Sequence, residues 1–122
     1  MQSSISPKNH ENALLWFIKL LAGGLIFGLL VVHFIVNHLI APGGLLTFND
    51  VVQYFQNPFV LIMEGCFLTT VLVHALLGLR SIALDLNPSP KIIWYLNRGL
   101  VLFGSLAFVY GIWLLIKVSS MG

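Results

Sequence analysis

Three long apolar stretches, separated by two short connections, dominate the pattern of hydrophobic and polar positions. They span roughly residues 13–40, 59–84 and 92–118, and each exceeds the ~20 residues that an α-helix needs to cross the hydrocarbon core of a bilayer. The pattern therefore predicts an all-α membrane protein with three transmembrane helices. We expect one transmembrane domain over residues 13–118 and a polar N-terminal tail over residues 1–12 that carries no chemistry.

The two connections contain helix-stop and helix-start signals. Pro42, Gly43 and Gly44 are expected to end the first helix, and Pro58 to begin the second. Between them, the segment TFNDVVQYFQNP predicts a short interfacial helix capped by Thr47 or Asn49. The side chains predicted to face the membrane from this helix are Val51, Val52, Tyr54 and Phe55. The segment LNPSP predicts a tight turn between the second and third helices.

Composition and charge agree with a membrane protein and suggest its orientation. Hydrophobic residues make up 58% of the chain and charged residues 8%, with a mean hydropathy of +0.96. Arg80, Lys91 and Arg98 flank the second connection, whereas the first has no Lys or Arg. The positive-inside rule then predicts a cytoplasmic N-terminus and an outside C-terminus. We expect a multi-pass protein of the cell membrane, a bacterial inner membrane, in contact with lipid and not with nucleic acid.

Several features predict that this chain works with partners. Three helices enclose too little interior to satisfy a buried polar site, so we expect a larger bundle shared with a second membrane subunit. Glycines on the first and third helices would permit close approach of a helix or a flat cofactor. These are Gly23, Gly24, Gly28, Gly104 and Gly111. Cys66 is the only cysteine, which excludes an intrachain disulfide and covalent attachment of haem.

The stretch HALLGLRSIALDL, residues 74–86, places polar residues in an apolar helix. At 100° per residue, small and polar side chains of the second helix lie within about 40° of one line. They are Thr70, His74, Gly78, Ser81 and Asp85. A haem-ligating imidazole beside the bare backbone of Gly78 fits this stripe. The alternative is a histidine that hydrogen-bonds to a Ser or Thr across the bundle.

His33 is a second candidate ligand, at a different depth. Counted from the outer surface, His33 lies ~9 Å and His74 ~22 Å into the membrane at 1.5 Å per residue. The two imidazoles therefore cannot ligate the same iron. Either they serve two stacked haems, each completed by a histidine of a partner subunit, or only one of them is a ligand. His38 lies about 140° around the first helix from His33 and is interpreted as an interfacial group.

Three further charged residues have two interpretations each. Arg80 and Arg98 could pair with haem propionates, for which a planar guanidinium is suited, or could anchor helix ends at the lipid headgroups. Glu64 lies in the outer third of the second helix, where an ionised carboxylate is costly. It could take up protons from quinol or hydrogen-bond to a neighbouring helix.

The helix-two motif His-x-x-x-Gly-x-Arg-x-x-x-x-Asp resembles the haem-ligand helix of the cytochrome b membrane-anchor subunits of succinate:quinone oxidoreductases, respiratory complex II. The three-helix plan and the stretch VVHFIVNHLIAPGG also resemble the small, D-type anchor subunit, over residues 13–118. The resemblance implies that His74 is an axial ligand of an inner haem b and His33 of an outer one. Many relatives have Tyr after the helix-two Asp, where this chain has Leu86.

The resemblance further implies a membrane anchor that carries electrons between an iron–sulfur subunit and membrane quinone, within succinate dehydrogenase of the tricarboxylic acid cycle. Its expected cofactor is haem b, shared with a second anchor subunit. We expect two haems, and at least one. A flavoprotein subunit would act on succinate, so this chain would not be catalytic by itself. Candidate quinone contacts are Asp85, Glu64 and His38. The alternatives are a haem-free structural subunit of another respiratory or photosynthetic complex, and chlorophyll ligation by the same histidines.

Overall fold

A computed structural model describes residues 12–40, 43 and 46–122, so the predicted N-terminal tail lies almost wholly outside the described residues. The described residues are helical, with no strand among them, and three helices are long and apolar enough to cross a membrane. This confirms the predicted fold class. The elements are α1 Ala13–Phe34, a π-helical segment Ile35–Ile40, α2 Phe48–Tyr54, α3 Pro58–Asp85 and α4 Pro90–Ser119.

Capping residues begin α3 and α4 one or two residues earlier than the apolar pattern predicted. The Asn57 side chain accepts a hydrogen bond from the backbone N–H of Phe59 at 3.0 Å, and Pro58 occupies the first turn. Ser89 caps α4 in the same way, ahead of Pro90. Proline is tolerated at this position because its missing N–H would have no partner inside the helix.

The short helix α2 is held at its start by a reciprocal capping box. The Thr47 hydroxyl accepts from the backbone N–H of Asp50 at 3.3 Å, and the Asp50 carboxylate accepts from the backbone N–H of Thr47 at 2.8 Å. Two N–H groups that the helix cannot pair are thereby satisfied. The Thr47 hydroxyl and N–H, as donors, hold the pKa of Asp50 below its usual range. The short helix and its Thr47 cap are confirmed.

Helix α3 is the centre of the bundle, with α1 packed on one flank and α4 on another. Gly104 lies against the Leu76 side chain and Gly111 against Leu68, and a Cβ on either glycine would overlap the leucine. These two glycines therefore permit close approach of α4 to α3, as small residues do between membrane helices. Of the five glycines predicted to allow close approach, these two accommodate leucine side chains of the neighbouring helix α3.

Most large apolar side chains of the described residues point outward. Only Ala22, Asn37 and Gly104 are buried within the described part of the chain, while phenylalanine, leucine and valine side chains along all three long helices are exposed. A helix that is apolar on every face requires lipid or further helices around it. The exposed apolar surface of the bundle is therefore suited to contact with lipid and with helices of other subunits.

Candidate functional site

The middle part of the polar stripe predicted on the second helix lines a groove between α1 and α3, whereas Thr70 and Asp85 of that stripe lie outside it. The groove has a volume of about 480 Å³ and runs along one side of the α1–α3 contact. Small and polar residues supply much of its wall. The lining residues are Trp16, Lys19, Leu20, Gly23 and Gly24 from α1, and His74, Gly78, Ser81 and Ile82 from α3. The structure thus brings His74, Gly78 and Ser81 together, as the sequence predicted.

The imidazole of His74 is held against the backbone of α1. Its Nδ1 lies 3.2 Å from the carbonyl oxygen of Lys19, and the ring edge meets Gly23, where a Cβ would stand 3.1 Å from Cε1 of His74. When Nδ1–H donates a hydrogen bond to the Lys19 carbonyl, the neutral imidazole is the tautomer whose Nε2 carries the lone pair. A nitrogen of that kind is able to ligate a metal.

The groove beside His74 is open on both walls. A Cβ added at Gly24 or Gly78 would meet no atom within 4 Å. Between the two walls, Nζ of Lys19 on α1 donates to the Ser81 hydroxyl on α3 at 2.8 Å. Lys19 was not among the predicted site residues. It is the only Asp, Glu, Lys or Arg in the apolar stretch 13–40, and that isolation was the available signal.

A second polar cluster surrounds His33 near α2. Nδ1 of His33 lies 2.9 Å from Oε1 of Glu64, and the Tyr54 hydroxyl donates to the same oxygen at 3.2 Å. The Asn37 side chain donates to the His33 carbonyl at 2.8 Å, and the imidazole stacks on Phe67 with ring centroids 5.3 Å apart. The Glu64 side chain is only 11% exposed. A carboxylate in this setting needs donors, and the cluster supplies them.

The membrane-facing orientation predicted for Tyr54 is wrong. Its hydroxyl points into the bundle, and burial, followed by the nearby charge of Glu64, raises the pKa of Tyr54 to about 12. The phenol therefore stays a neutral donor. The periodicity of a seven-residue helix could not show this, because the contact depends on how α2 lies over the end of α3.

The two histidines are far apart along the bundle. His33 contacts Glu64 and Phe67 of α3, which precede His74 by ten and seven residues. At 1.5 Å per residue, the two imidazoles differ in depth by roughly 10–15 Å. The structure agrees with the predicted difference in depth. The imidazoles of His33 and His74 are too far apart to form one metal site together.

The two arginines lie outside the groove that contains His74. Nε of Arg80 donates to Oδ1 of Asn97 at 2.8 Å, in a separate cavity on the α4 side of α3. Arg98 is exposed, with its guanidinium 5.0 Å from the centroid of the Trp94 ring. The structure therefore does not bring either arginine next to His74.

The three residues predicted to contact quinone lie at two ends of the bundle. Asp85 is exposed at the C-terminal end of α3, whereas Glu64 belongs to the His33 cluster. His38 is exposed in the π-helical segment, its ring tilted against Phe34 at 5.1 Å. Within the described residues no group of three or more His, Cys, Asp or Glu side chains converges.

Two comparisons with known proteins agree with this architecture. The family model of the succinate dehydrogenase/fumarate reductase transmembrane subunit matches residues 3–110. The chain is also 30% identical over 113 residues to the succinate dehydrogenase hydrophobic membrane anchor subunit of Archaeoglobus fulgidus, an alignment that covers 93% of this chain and 96% of that protein. The chain is therefore a multi-pass membrane protein that belongs to the family of succinate dehydrogenase and fumarate reductase transmembrane subunits.

Proposed function

We propose that this membrane anchor holds b-type haem together with a second anchor subunit and carries electrons between an iron–sulfur subunit and membrane quinone. A flavoprotein subunit completes the proposed complex and acts on succinate. The observation that carries the proposal is the imidazole of His74, held at the edge of an open, small-residue groove. Haem b, when bound, supplies an iron centre that accepts and releases one electron.

His74 is the proposed axial ligand of the inner haem. A ligating histidine typically donates its other ring N–H to a carboxylate or a backbone carbonyl, which sets the tautomer and the ring orientation. The Lys19 carbonyl is in place to accept that hydrogen bond from Nδ1 of His74. The bare backbone at Gly78 leaves the adjoining space open to a flat ligand.

Lys19 and Ser81 are the proposed donors to a haem carboxylate from this groove. Both line it, and the Nζ–Oγ hydrogen bond places an ammonium and a hydroxyl side by side. Ammonium and hydroxyl groups both donate to carboxylates. We therefore favour them over Arg80 and Arg98, which lie outside the groove, for contact with propionates.

His33 is the proposed axial ligand of a second, outer haem. Its Nδ1 is hydrogen-bonded to the Glu64 carboxylate, an arrangement that also occurs around ligating histidines. A partner subunit would supply the opposite ligand of each iron. Quinone contact is also proposed, through Asp85 at one end of the bundle or through Glu64 and His38 at the other.

Visible spectroscopy of the assembled complex tests the haem assignment. We expect two b haems per complex in reduced-minus-oxidised spectra, with His74→Ala removing the inner component and His33→Ala the outer one. His38→Ala is the matched control and should keep both components, because that residue is not a proposed ligand. Loss of the same component in both alanine variants, or a complex without b-type bands, would contradict the proposal.

A haem-free structural anchor is the second candidate function. The observation that favours it is that both histidines hydrogen-bond across the α1–α3 contact, and such bonds stabilise membrane helix pairs on their own. In that case His74→Ala would lower the thermal stability of the complex and leave its visible spectrum unchanged. The same spectra therefore separate the two functions.

A further inference from the structure

A continuous furrow runs along the side of α3 that faces away from the His74 groove. It consists of two adjoining cavities of about 420 and 330 Å³, which share four apolar lining residues. These are Val73, Leu76, Leu100 and Val101. The furrow forms because α1 and α4 both pack on α3. Its first cavity also includes Arg80 and Asn97, and its second extends to Thr69 and Phe108.

The guanidinium of Arg80 is incompletely paired at one end of this furrow. Nε of Arg80 donates to Asn97, but Nη1 is buried and has no hydrogen-bond acceptor in the described part of the chain. A buried charged donor without an acceptor is costly. A group from outside the chain is therefore expected to accept from it, and a guanidinium is best matched by a phosphate or a carboxylate.

The dimensions of the furrow match one leaflet of a bilayer. Arg80 and Thr69 are eleven residues apart on α3, or ~16 Å, and half of a ~30 Å hydrocarbon core is ~15 Å. With 28 residues, α3 is ~42 Å long, so ~6 Å extends beyond the core at each end. Arg80 lies five residues from the end of α3, close to the boundary where lipid phosphates begin.

The charge at this end of the bundle favours an anionic lipid. Arg80, Lys91 and Arg98 lie near the α3–α4 turn, where Asp85 is the one carboxylate among the described residues. Basic pockets between membrane helices attract acidic headgroups. We propose that the Arg80 furrow binds one anionic phospholipid, with its phosphate accepting from Nη1 of Arg80 and an acyl chain lying along the apolar walls toward Thr69. The amide N–H₂ of Asn97 is a second donor to the phosphate.

The test measures phospholipid bound to the assembled complex, purified from its membrane in mild detergent and extracted for mass spectrometry. We expect about one retained acidic phospholipid per copy of this chain, and roughly tenfold weaker retention in Arg80→Gln, because a charge-assisted hydrogen bond is lost. Lys91→Gln is the control. It removes the same charge at the same end from an exposed residue outside the furrow, and should retain the lipid.

A second variant and a titration keep the proposal testable if Arg80→Gln does not assemble. Val101→Trp should fill the furrow and displace the lipid while Arg80 is intact. Delipidated wild-type complex should bind phosphatidylglycerol in preference to phosphatidylcholine and should not bind inorganic phosphate comparably. Equal retention in Arg80→Gln and wild type, equal binding of the two lipids, or recovery of quinone in place of phospholipid would overturn the proposal.

Discussion

Nδ1 of His33 on α1 lies 2.9 Å from Oε1 of Glu64 on α3, and Tyr54 of α2 donates its hydroxyl to the same oxygen. One carboxylate thereby joins three helices at the α2 end of the bundle. Because Glu64 is mostly buried, its hydrogen bonds to these two side chains replace those that water would make. Under the proposed function, Glu64 is a positioning residue for His33.

Replacement of Glu64 should alter the proposed outer haem and leave the proposed inner one unchanged. Glu64→Ala removes the acceptor for Nδ1 of His33, so the imidazole would be a weaker ligand of the proposed outer haem, and the midpoint potential of that haem should rise. Glu64→Gln retains an acceptor oxygen and should give a smaller rise. Potentiometric titration of the reduced-minus-oxidised spectrum measures both. An unchanged outer potential in Glu64→Ala would refute this positioning role.

Gly23→Ala should disturb the proposed inner haem through His74. The new Cβ would stand 3.1 Å from Cε1 of the imidazole, so the ring must shift by a few tenths of an ångström and strain its rotamer, at a cost of about 0.5–1.5 kcal/mol. We expect a displaced or weakened inner spectral component. Gly28→Ala is the matched control, since a Cβ there meets nothing within 4 Å. Identical inner components in Gly23→Ala and wild type would show that close contact at Gly23 is unnecessary.

Gly111→Ala should destabilise the contact between α3 and α4. Its Cβ would overlap the Leu68 side chain, and overpacking typically costs about 1–3 kcal/mol. The thermal unfolding midpoint of the complex should fall, whereas Gly99→Ala should have little effect because a Cβ there is unobstructed. A double variant with Leu68→Ala should be less destabilised than the sum of the two single variants. Strict additivity would argue against direct contact.

The pKa of Tyr54 should lie well above that of an ordinary phenol. Burial, and then the Glu64 charge, raise its pKa from 10.0 to about 12. Since the folded pKa is the higher one, this group's contribution to stability is present below pH 10.0 and is lost as the pH rises toward 12. Ultraviolet difference titration of wild type against Tyr54→Phe measures this pKa. Glu64→Gln should lower it, but not to 10.0, because burial is the larger cause; titration of wild type near 10.0 would contradict the contact.

The helices and the central part of the site could be predicted from the sequence. Polar backbone groups within lipid must pair inside their own segment, so a long apolar run can only be a helix and its length sets the span. Pro58 and Thr47 marked helix starts correctly. The 100° spacing placed His74, Gly78 and Ser81 on one line, and all three line the groove. That spacing failed from Ile35 onward, where the six-residue π-helical segment Ile35–Ile40 changes the angle between His33 and His38.

The sequence by itself determined the three spans, the Thr47 cap and the shared face of His74, Gly78 and Ser81 on α3, because hydropathy and helical period are local properties. Only the tertiary structure decided which groups meet: Lys19 with Ser81, Arg80 with Asn97, and Glu64 with both His33 and Tyr54. The helical period fixes the angle of each side chain about the axis of its helix. It does not fix how the whole helix is rotated about that axis relative to the neighbouring helices. That rotation is set by packing, such as the fit of Gly104 and Gly111 against leucines of α3.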